Sequence, residues 1–349
     1  MKLKLSDIDD LQFYFIVSKY SLLESELLEF ISKENIISFS QNPIFRTIQE
    51  IVFLPFFCAS KTISIIYSYF GYALAPKTIK QITGSADSNL YFPEIEFWSN
   101  ETIFERIRHY FVDQYRIFAL KRAYCVVFES PELYRRSKQL FKIKKTSLIL
   151  PSIPVEQKST SSPLVADPSK FRILLVCGWQ RNKNILLVPE LASHLIKEIP
   201  NAEFIVTTEL DNSLISNEFD ALLDQFETRD NISLIGQVGK SQLQDLYQKT
   251  NCLLLLSKLE SFSNNIIEAW KFKSPLVISN EHWARGICEN SALYCDRDSC
   301  IDITSRLVEV SKSPAVRDEL INSGLDQLKK YPSDEERFFQ EIELLRSLK

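Results

Sequence analysis

Cys252–Phe272 reads Cys-Leu-Leu-Leu-Leu-Ser-Lys-Leu-Glu-Ser-Phe-Ser-Asn-Asn-Ile-Ile-Glu-Ala-Trp-Lys-Phe. Its apolar run from Leu253 to Leu256 predicts a buried parallel strand, followed by a short polar loop and a helix that carries Glu268, Ala269 and Phe272. In an open α/β sheet such a junction lies at the carboxyl edge, where ligands bind, and the unpaired N–H groups of the helix's first turn attract phosphate. Glu260 and Glu268 bracket the loop with seven residues between them. A carboxylate can accept two hydrogen bonds from a vicinal diol, so one can hold a ribose while the other faces a second polyol such as a sugar. The spacing points to a nucleotide-sugar pocket. A purely structural reading stands beside it: Asn265-Ile-Ile-Glu268 also fits a capping box, in which the carboxylate reaches back to the cap's own N–H.

Upstream, Phe171-Arg-Ile-Leu-Leu-Val-Cys-Gly178 predicts another buried strand, ending in glycine, and Leu187, Leu191 and Leu195 keep helical spacing beyond it. Strands are expected at Ala202–Thr207, Asn231–Gly236 and Leu276–Ser279, with helices at Ser216–Phe226 and Lys240–Gln248. This alternation predicts a parallel sheet covered by helices on both faces. Arg181 and Lys183 follow Gly178 closely. Fixed cations there could lower the barrier for a departing nucleoside diphosphate, or could be surface charges beside a helix start.

Glu-Ser-Phe-Ser-Asn-Asn-Ile-Ile-Glu-Ala, from Glu260 to Ala269, resembles the E-x7-E signature of family 4 glycosyltransferases, retaining enzymes of the GT-B fold. Ser261 and Ser263 replace the two glycines usual in that signature, and Asn265 stands where proline is common. Gly178-Trp-Gln-Arg-Asn-Lys-Asn is similar to the family's G-R-x-x-x-K-G/N loop; Lys183 and Asn184 match, while Trp179 stands in the place of the arginine. The run from Glu281 to Asp296, with Arg285 expected at the opening of a helix, looks like the segment that follows E-x7-E in bacterial members. The resemblance is specific from about Phe171 to Gly324 and loose over the first half. It implies Glu268 on the ribose and Glu260 on the donor sugar. The loop of Ser261, Phe262, Ser263, Asn264, Asn265 and Ile266, together with Gly178, Lys183, Arg181 and Arg285, is then expected around the diphosphate and sugar.

The remaining chain is ordinary globular material: 349 residues, 45% apolar and 25% charged, enough for roughly two domains. Seven cysteines without paired C-x-x-C spacing argue against a disulfide framework or a zinc site. Acidic residues near the start, where a signal peptide needs its apolar region, lead to an expectation of no secretion. Pro151, Pro154, Pro163 and Pro168 with the tract Lys158–Ser162 mark a linker. The expected organisation is therefore a first Rossmann-like domain over 1–150, a linker over 151–168, a second over 169–332, and a helix over 333–349 that crosses back onto the first domain.

In the first half, strands are expected at Leu11–Val17, Asn35–Phe39, Thr62–Tyr67 and Ala123–Glu129, with helices at Leu22–Ile31, Ile44–Phe53 and Glu101–Arg122. This βαβαβ opening would begin one doubly wound sheet. No G-x-G-x-x-G follows the first strand, which weakens a dinucleotide cofactor. The apolar window Ile51–Leu74 is broken by Pro55, Lys61 and Gly71, so it reads as core and not as a membrane span. Residues 86–100, rich in aromatic rings and carboxylates, could cover a pocket or be a turn pinned to the core by Tyr91, Phe92 and Trp98. Residues 1–150 carry a net charge of +3 against −7 for the rest, and the densest basic cluster is Arg135, Arg136, Lys138, Lys142, Lys144 and Lys145. That cluster is either a solvated helix end or a footing on anionic lipid.

Together these readings lead to a two-domain α/β GT-B protein that moves a sugar from a nucleotide donor to a glycan acceptor, expected to be lipid-linked. Neither metal nor nucleic acid is expected, and the setting would be the inner face of a bacterial membrane during surface polysaccharide assembly. A non-catalytic GT-B scaffold and a nucleotide-sugar epimerase are the rival expectations.

Overall fold

Six strands, every one of them paired in parallel, form the sheet around which the second half is built. In the computed structural model, which describes residues 8, 10–69, 71, 78–99, 101–143, 145–156 and 167–348, they are β7 (Phe171–Leu175), β8 (Ala202–Val206), β9 (Ile232–Leu234), β10 (Cys252–Leu255), β11 (Leu276–Ser279) and β12 (Leu293–Cys295). Their spatial order is β12-β11-β10-β7-β8-β9. The order reverses between β7 and β10, so the crevice of a doubly wound sheet lies at the carboxyl ends of those two strands. Every residue of β7, β8, β10 and β11 is buried. Helices on both faces make this possible, and each fully buried Leu or Ile contributes roughly 1.5–3 kcal/mol.

The helices are α6 (Val188–Glu198), α7 (Leu214–Gln225), α8 (Lys240–Lys249), α9 (Asn264–Lys271), α10 (His282–Cys288), α11 (Cys300–Lys312) and α12 (Pro314–Leu328). Arg285 lies within α10, not at its opening, because Glu281 is the residue at the N-cap. α9 is pressed against α12: a Cβ built on Gly324 would lie 2.4 Å from Cδ1 of Trp270.

The first half departs from the expectation of one sheet. Among the described residues β1 (Phe15–Ser18) and β2 (Ile36–Phe39) pair only with each other, whereas β3 (Ile65–Ser68), β4 (Lys80–Gly84), β5 (Cys125–Phe128) and β6 (Thr146–Leu148) form a separate parallel sheet. Each strand of the pair is four residues long and has one buried residue. Side chains join pair and sheet instead of a ladder: Phe39, Leu54 and Cys58 pack with Ile66 and Ile79.

After α1 (Leu22–Leu28), one helical run holds α2 (Pro43–Ile48), a π-turn (Gln49–Phe53) and α3 (Leu54–Ser60). This run corrects the reading of Ile51–Leu74 as core. Leu54 and Cys58 are buried, but Val52 and Phe56 are 67% and 73% exposed. The apolar residues circle the helix, and among the described residues only one of its sides is buried. Phe70 and 72–77 of that window lie outside the described residues, as do Lys144 and 157–166, which hold the Ser/Thr tract and Pro163.

α4 (Ile103–Arg122) starts two residues later than expected because Thr102 and Glu105 form a capping box. In the segment before it, Tyr91 and Phe92 are fully buried, and Trp98 stacks on His109 with ring centres 3.7 Å apart. Those rings serve packing. α5 (Pro131–Leu140) holds Arg135, Arg136 and Lys138 of the basic cluster, and its first turn comes close to the second half, where a Cβ on Gly286 would lie 3.1 Å from Cβ of Glu132. Arg136 is mostly shielded and bridges Glu132 and Glu94 at 2.8 and 2.7 Å. Arg135 pairs with Glu132 at 2.5 Å. Of the cluster read as either a solvated helix end or a lipid footing, Arg135 and Arg136 are engaged by acids, Arg135 while still exposed, and Lys138, Lys142 and Lys145 are exposed.

α13 (Asp334–Leu348) lies against the first sheet: Leu344, Leu345 and Leu348 pack with Ile82, Cys125 and Val127. Polar bonds reinforce the contact, Lys80 Nζ donating to the Leu348 carbonyl at 2.5 Å and Arg337 pairing with Glu129 at 2.6 Å.

Candidate active site

Two loops leave the sheet at its switch point, one after β7 and one after β10, and a short set of hydrogen bonds fastens them together. The Asn182 carbonyl accepts from the Lys258 N–H at 2.9 Å, while its side chain accepts from Leu259 N at 3.1 Å and donates to the Leu259 carbonyl at 2.9 Å. At the start of α9, Asn265 Nδ2 donates to the Val176 carbonyl at 3.1 Å. These braces bring Lys183 to Glu260, whose carboxylate accepts from the lysine ammonium. Both side chains are mostly shielded, at 15% and 17% exposure.

The next residue explains the local pattern. Asn184 adopts a left-handed backbone (φ 55°), which asparagine and glycine tolerate best. Its amide donates to the Arg297 carbonyl at 2.6 Å and holds the turn that aims Lys183 inward. Gly178, exposed at the mouth of β7, has nothing within 4 Å of the place a Cβ would take.

Glu268 sits on α9, one turn beyond the loop. Its Oε2 accepts from the Tyr247 hydroxyl at 3.1 Å, and among the described residues no protein donor reaches its other oxygen. Burial raises its pKa, partly countered by the Tyr247 hydroxyl and the charge of Lys240. It does not cap its own helix. The N-cap residue is Ser263, which makes no side-chain cap bond, and Asn265 is spent on Val176. The structure thus removes the capping alternative and leaves a partly buried carboxylate beside the loop.

Other expected residues are placed differently. Ile266 is fully buried and its N–H donates to the Ser263 carbonyl at 3.0 Å, so that amide does not face a ligand. The helix start offers Asn264, which is exposed, and Asn265. Ser261 is half-buried, and the ring of Phe262 packs against Tyr331 with centres 5.9 Å apart. Arg181 is turned away to Glu218 of α7 at 2.9 Å and is half-exposed, so it does not join Lys183. Trp179 is a strut: its Nε1 donates to the Glu209 carbonyl at 2.9 Å and its ring lies 5.2 Å from that of Phe219. Arg285, on α10, donates to Asn280 at 2.5 Å and lies over the Tyr294 ring, with no hydrogen bond to the Lys183–Glu260 pair.

Three contributors were not singled out from the sequence: Asn182, Tyr247 and Lys258. Lys258 Nζ donates to the Glu96 carbonyl at 2.7 Å and to Ser99 Oγ at 3.2 Å, tying the site loop to the first half. Only Asn182 had a signal, its place inside the Gly178–Asn184 loop. Beside the site, burial pushes the Cys177 thiol up to about 12, so it stays protonated and is a poor nucleophile.

The chain is similar to known proteins in sequence over its second half and in fold over most of its length. Residues 157–326, just under half of the chain, match the family model described as Glycosyl transferases group 1. Glycosyltransferase 1 domain-containing protein 1 of Xenopus tropicalis is 24% identical over 160 residues, 45% of this chain and 44% of that protein. The match therefore spans less than half the length of that curated relative. Sucrose-phosphate synthase from Thermosynechococcus elongatus superposes with a TM-score of 0.69 at 15% identity, covering 91% of this chain and 84% of that one. The Anabaena protein HepE, solved with UDP and glucose, superposes at 0.66 and 12% identity, covering 94% and 89%. The shared fold is GT-B, two Rossmann-like units built on parallel sheets.

Proposed function

We propose that this GT-B chain is a retaining glycosyltransferase that takes a sugar from a nucleoside diphosphate donor and joins it to a hydroxyl of a glycan acceptor carried on lipid. The observation that carries the reading is the Lys183–Glu260 pair at the switch point, with Glu268 on the helix that follows. In the reaction the bond from the anomeric carbon to the β-phosphate oxygen breaks and a bond to the acceptor oxygen forms. The hydroxyl proton and the nucleoside diphosphate depart. Lys183 and the N–H groups of Asn264 and Asn265 would carry the charge that grows on the leaving diphosphate, Glu260 would orient the donor sugar and Glu268 would hold the ribose diol. No group of the protein forms a covalent intermediate, and no metal is part of the proposal. The setting would be the cytosolic face of a membrane where surface polysaccharide is made.

Trp179 and Arg181, engaged with Glu209 and Glu218, favour a second reading, a scaffold subunit without turnover. Titration calorimetry with UDP, GDP and dTDP, followed by a donor screen in the presence of EDTA, separates the two. Saturable binding of one diphosphate and turnover that survives chelation are expected. Absence of affinity for any nucleotide would leave the scaffold.

A further inference from the structure

A nucleoside diphosphate runs in one direction, from phosphates through ribose to base. With Lys183 on the phosphates and Glu268 on the ribose, the base lies beyond Glu268, on the side away from Lys183. Glu268 is tied to α8 twice, by the Tyr247 hydroxyl near the end of that helix and by the charge of Lys240 at its first residue. Lys240 follows directly on the loop that leaves β9. The base is thereby directed to the loops after β8 and β9, on the carboxyl edge of the same sheet.

Those two loops are fastened to each other and to the loop that carries Lys183. The Thr208 carbonyl accepts from Gly236 N at 3.0 Å, and the Glu209 carbonyl accepts from Trp179 Nε1 at 2.9 Å. Gly236 is buried with φ 74°, so the floor between the loops is backbone without a side chain. The Glu209 side chain lies over it, with Oε2 3.5 Å from the place a Cβ of Gly236 would take. Glu209 is exposed, and among the described residues no donor reaches its carboxylate. Leu210, 44% exposed, stands next to it as an apolar neighbour. Gln237, also exposed, carries an amide that both donates and accepts and so suits any base.

A carboxylate discriminates where an amide does not, because when ionised it only accepts hydrogen bonds. Of the five common bases, guanine alone offers two neighbouring donors on one edge, N1–H and N2–H, which match the two carboxylate oxygens. Uracil and thymine place a carbonyl oxygen on each side of N3–H, so one donor comes with two repelling acceptors. Adenine and cytosine set their amino group beside a bare ring nitrogen, which repels the second oxygen. Paired bonds to an ionised acceptor belong to the stronger class of hydrogen bonds.

We propose that Glu209 selects the donor: its carboxylate takes N1–H and N2–H of guanine, so the nucleotide sugar that this chain uses is a guanosine diphosphate sugar. The inference rests on the nucleotide reading of Lys183 and Glu268 and adds the identity of the base.

Titration calorimetry with GDP, IDP, ADP, CDP, UDP and dTDP is the test. GDP is expected to bind at least about ten-fold more tightly than the adenine, cytosine, uracil and thymine nucleotides. IDP, which keeps N1–H and lacks the 2-amino group, should fall several-fold below GDP. Glu209→Ala removes both acceptor oxygens, so GDP and IDP should then bind alike while UDP binding does not fall. Glu209→Gln keeps one acceptor and should lie between that variant and the parent. Both substitutions alter an exposed position and should leave the unfolding temperature unchanged. A parent that binds any of the other four bases as tightly as GDP overturns the proposal and leaves the nucleotide site standing. An undiminished preference for GDP over IDP in Glu209→Ala has the same effect. Absence of binding by all six nucleotides overturns this inference together with the reading on which it rests.

Discussion

Lys183 and Glu260, 77 positions apart in the chain, form an ion pair at the mouth of the second sheet, shielded from solvent on both sides. Such a pair is already satisfied without ligand, so a bound diphosphate must share the ammonium with Glu260. In Glu260→Gln the lysine has no competing carboxylate. Diphosphate affinity is expected to rise by roughly ten-fold, the worth of one charge-assisted hydrogen bond, while turnover of the nucleotide sugar falls. Lys183→Met should lose both. Calorimetry with the free diphosphate, set beside initial rates, checks the split; parallel losses in the two variants would mean the pair acts only as a brace.

Glu268 gives a prediction in which stability and function move in opposite directions. Burial raises its pKa, so the folded protein disfavours the ionised form and loses stability as pH rises through that raised value. Glu268→Gln removes the cost while retaining an acceptor for Tyr247. The variant should melt higher than the parent at pH 8 and no higher in acid, yet bind nucleotide roughly ten-fold more weakly or worse if the carboxylate holds the ribose diol. For the parent, affinity should decline as pH falls through the same raised value. Melting curves and titrations between about pH 5 and 8 decide it; an unchanged affinity would return Glu268 to a structural role.

Gly324 fixes how closely α12 can approach the helix that bears Glu268. A methyl group there would meet Trp270 Cδ1 at 2.4 Å, closer than real contacts permit. Gly324→Ala should cost about 1–3 kcal/mol of stability as the indole is displaced, despite the better helix propensity of alanine. Denaturant unfolding measures the cost. A stabilised variant would show that α9 can retreat freely.

What the sequence makes legible follows from how burial is written in it. Strands covered on both faces appear as unbroken apolar runs, so Phe171–Leu175, Cys252–Leu255 and Leu276–Ser279 can be read directly. Asn184 stands out in the sequence only through its place in the loop similar to G-R-x-x-x-K-G/N, and its left-handed turn is seen in the structure alone. The Lys183–Glu260 pair could not, since two loops distant in sequence meet only through the braces of Asn182. Nor could the turning of Arg181 to Glu218, because the position of a cation does not say which acid it will find. In the first half the period of apolar residues gives helix faces but not what covers them. Val52 and Phe56 therefore read as core although the chain leaves them exposed.

The C-terminal helix is held by a cluster whose behaviour with pH can be worked out. Arg337 lies between Glu129 at 2.6 Å and Glu341 at 3.3 Å and also contacts the Tyr69 hydroxyl. Burial raises the Glu341 pKa, and the guanidinium acts against that rise. Arg337→Met leaves two partly buried carboxylates facing each other without a cation. Their folded pKa values must climb, so the variant loses stability as pH rises through them and regains it as they take up protons. A deficit of roughly 2–3 kcal/mol at pH 8, below that of a fully buried pair, should shrink toward pH 5. Denaturant midpoints at the two pH values test this, with Arg337→Lys as the control that restores the charge. A deficit of equal size at both would show that Arg337 contributes packing of its stem and not neutralisation of the two acids.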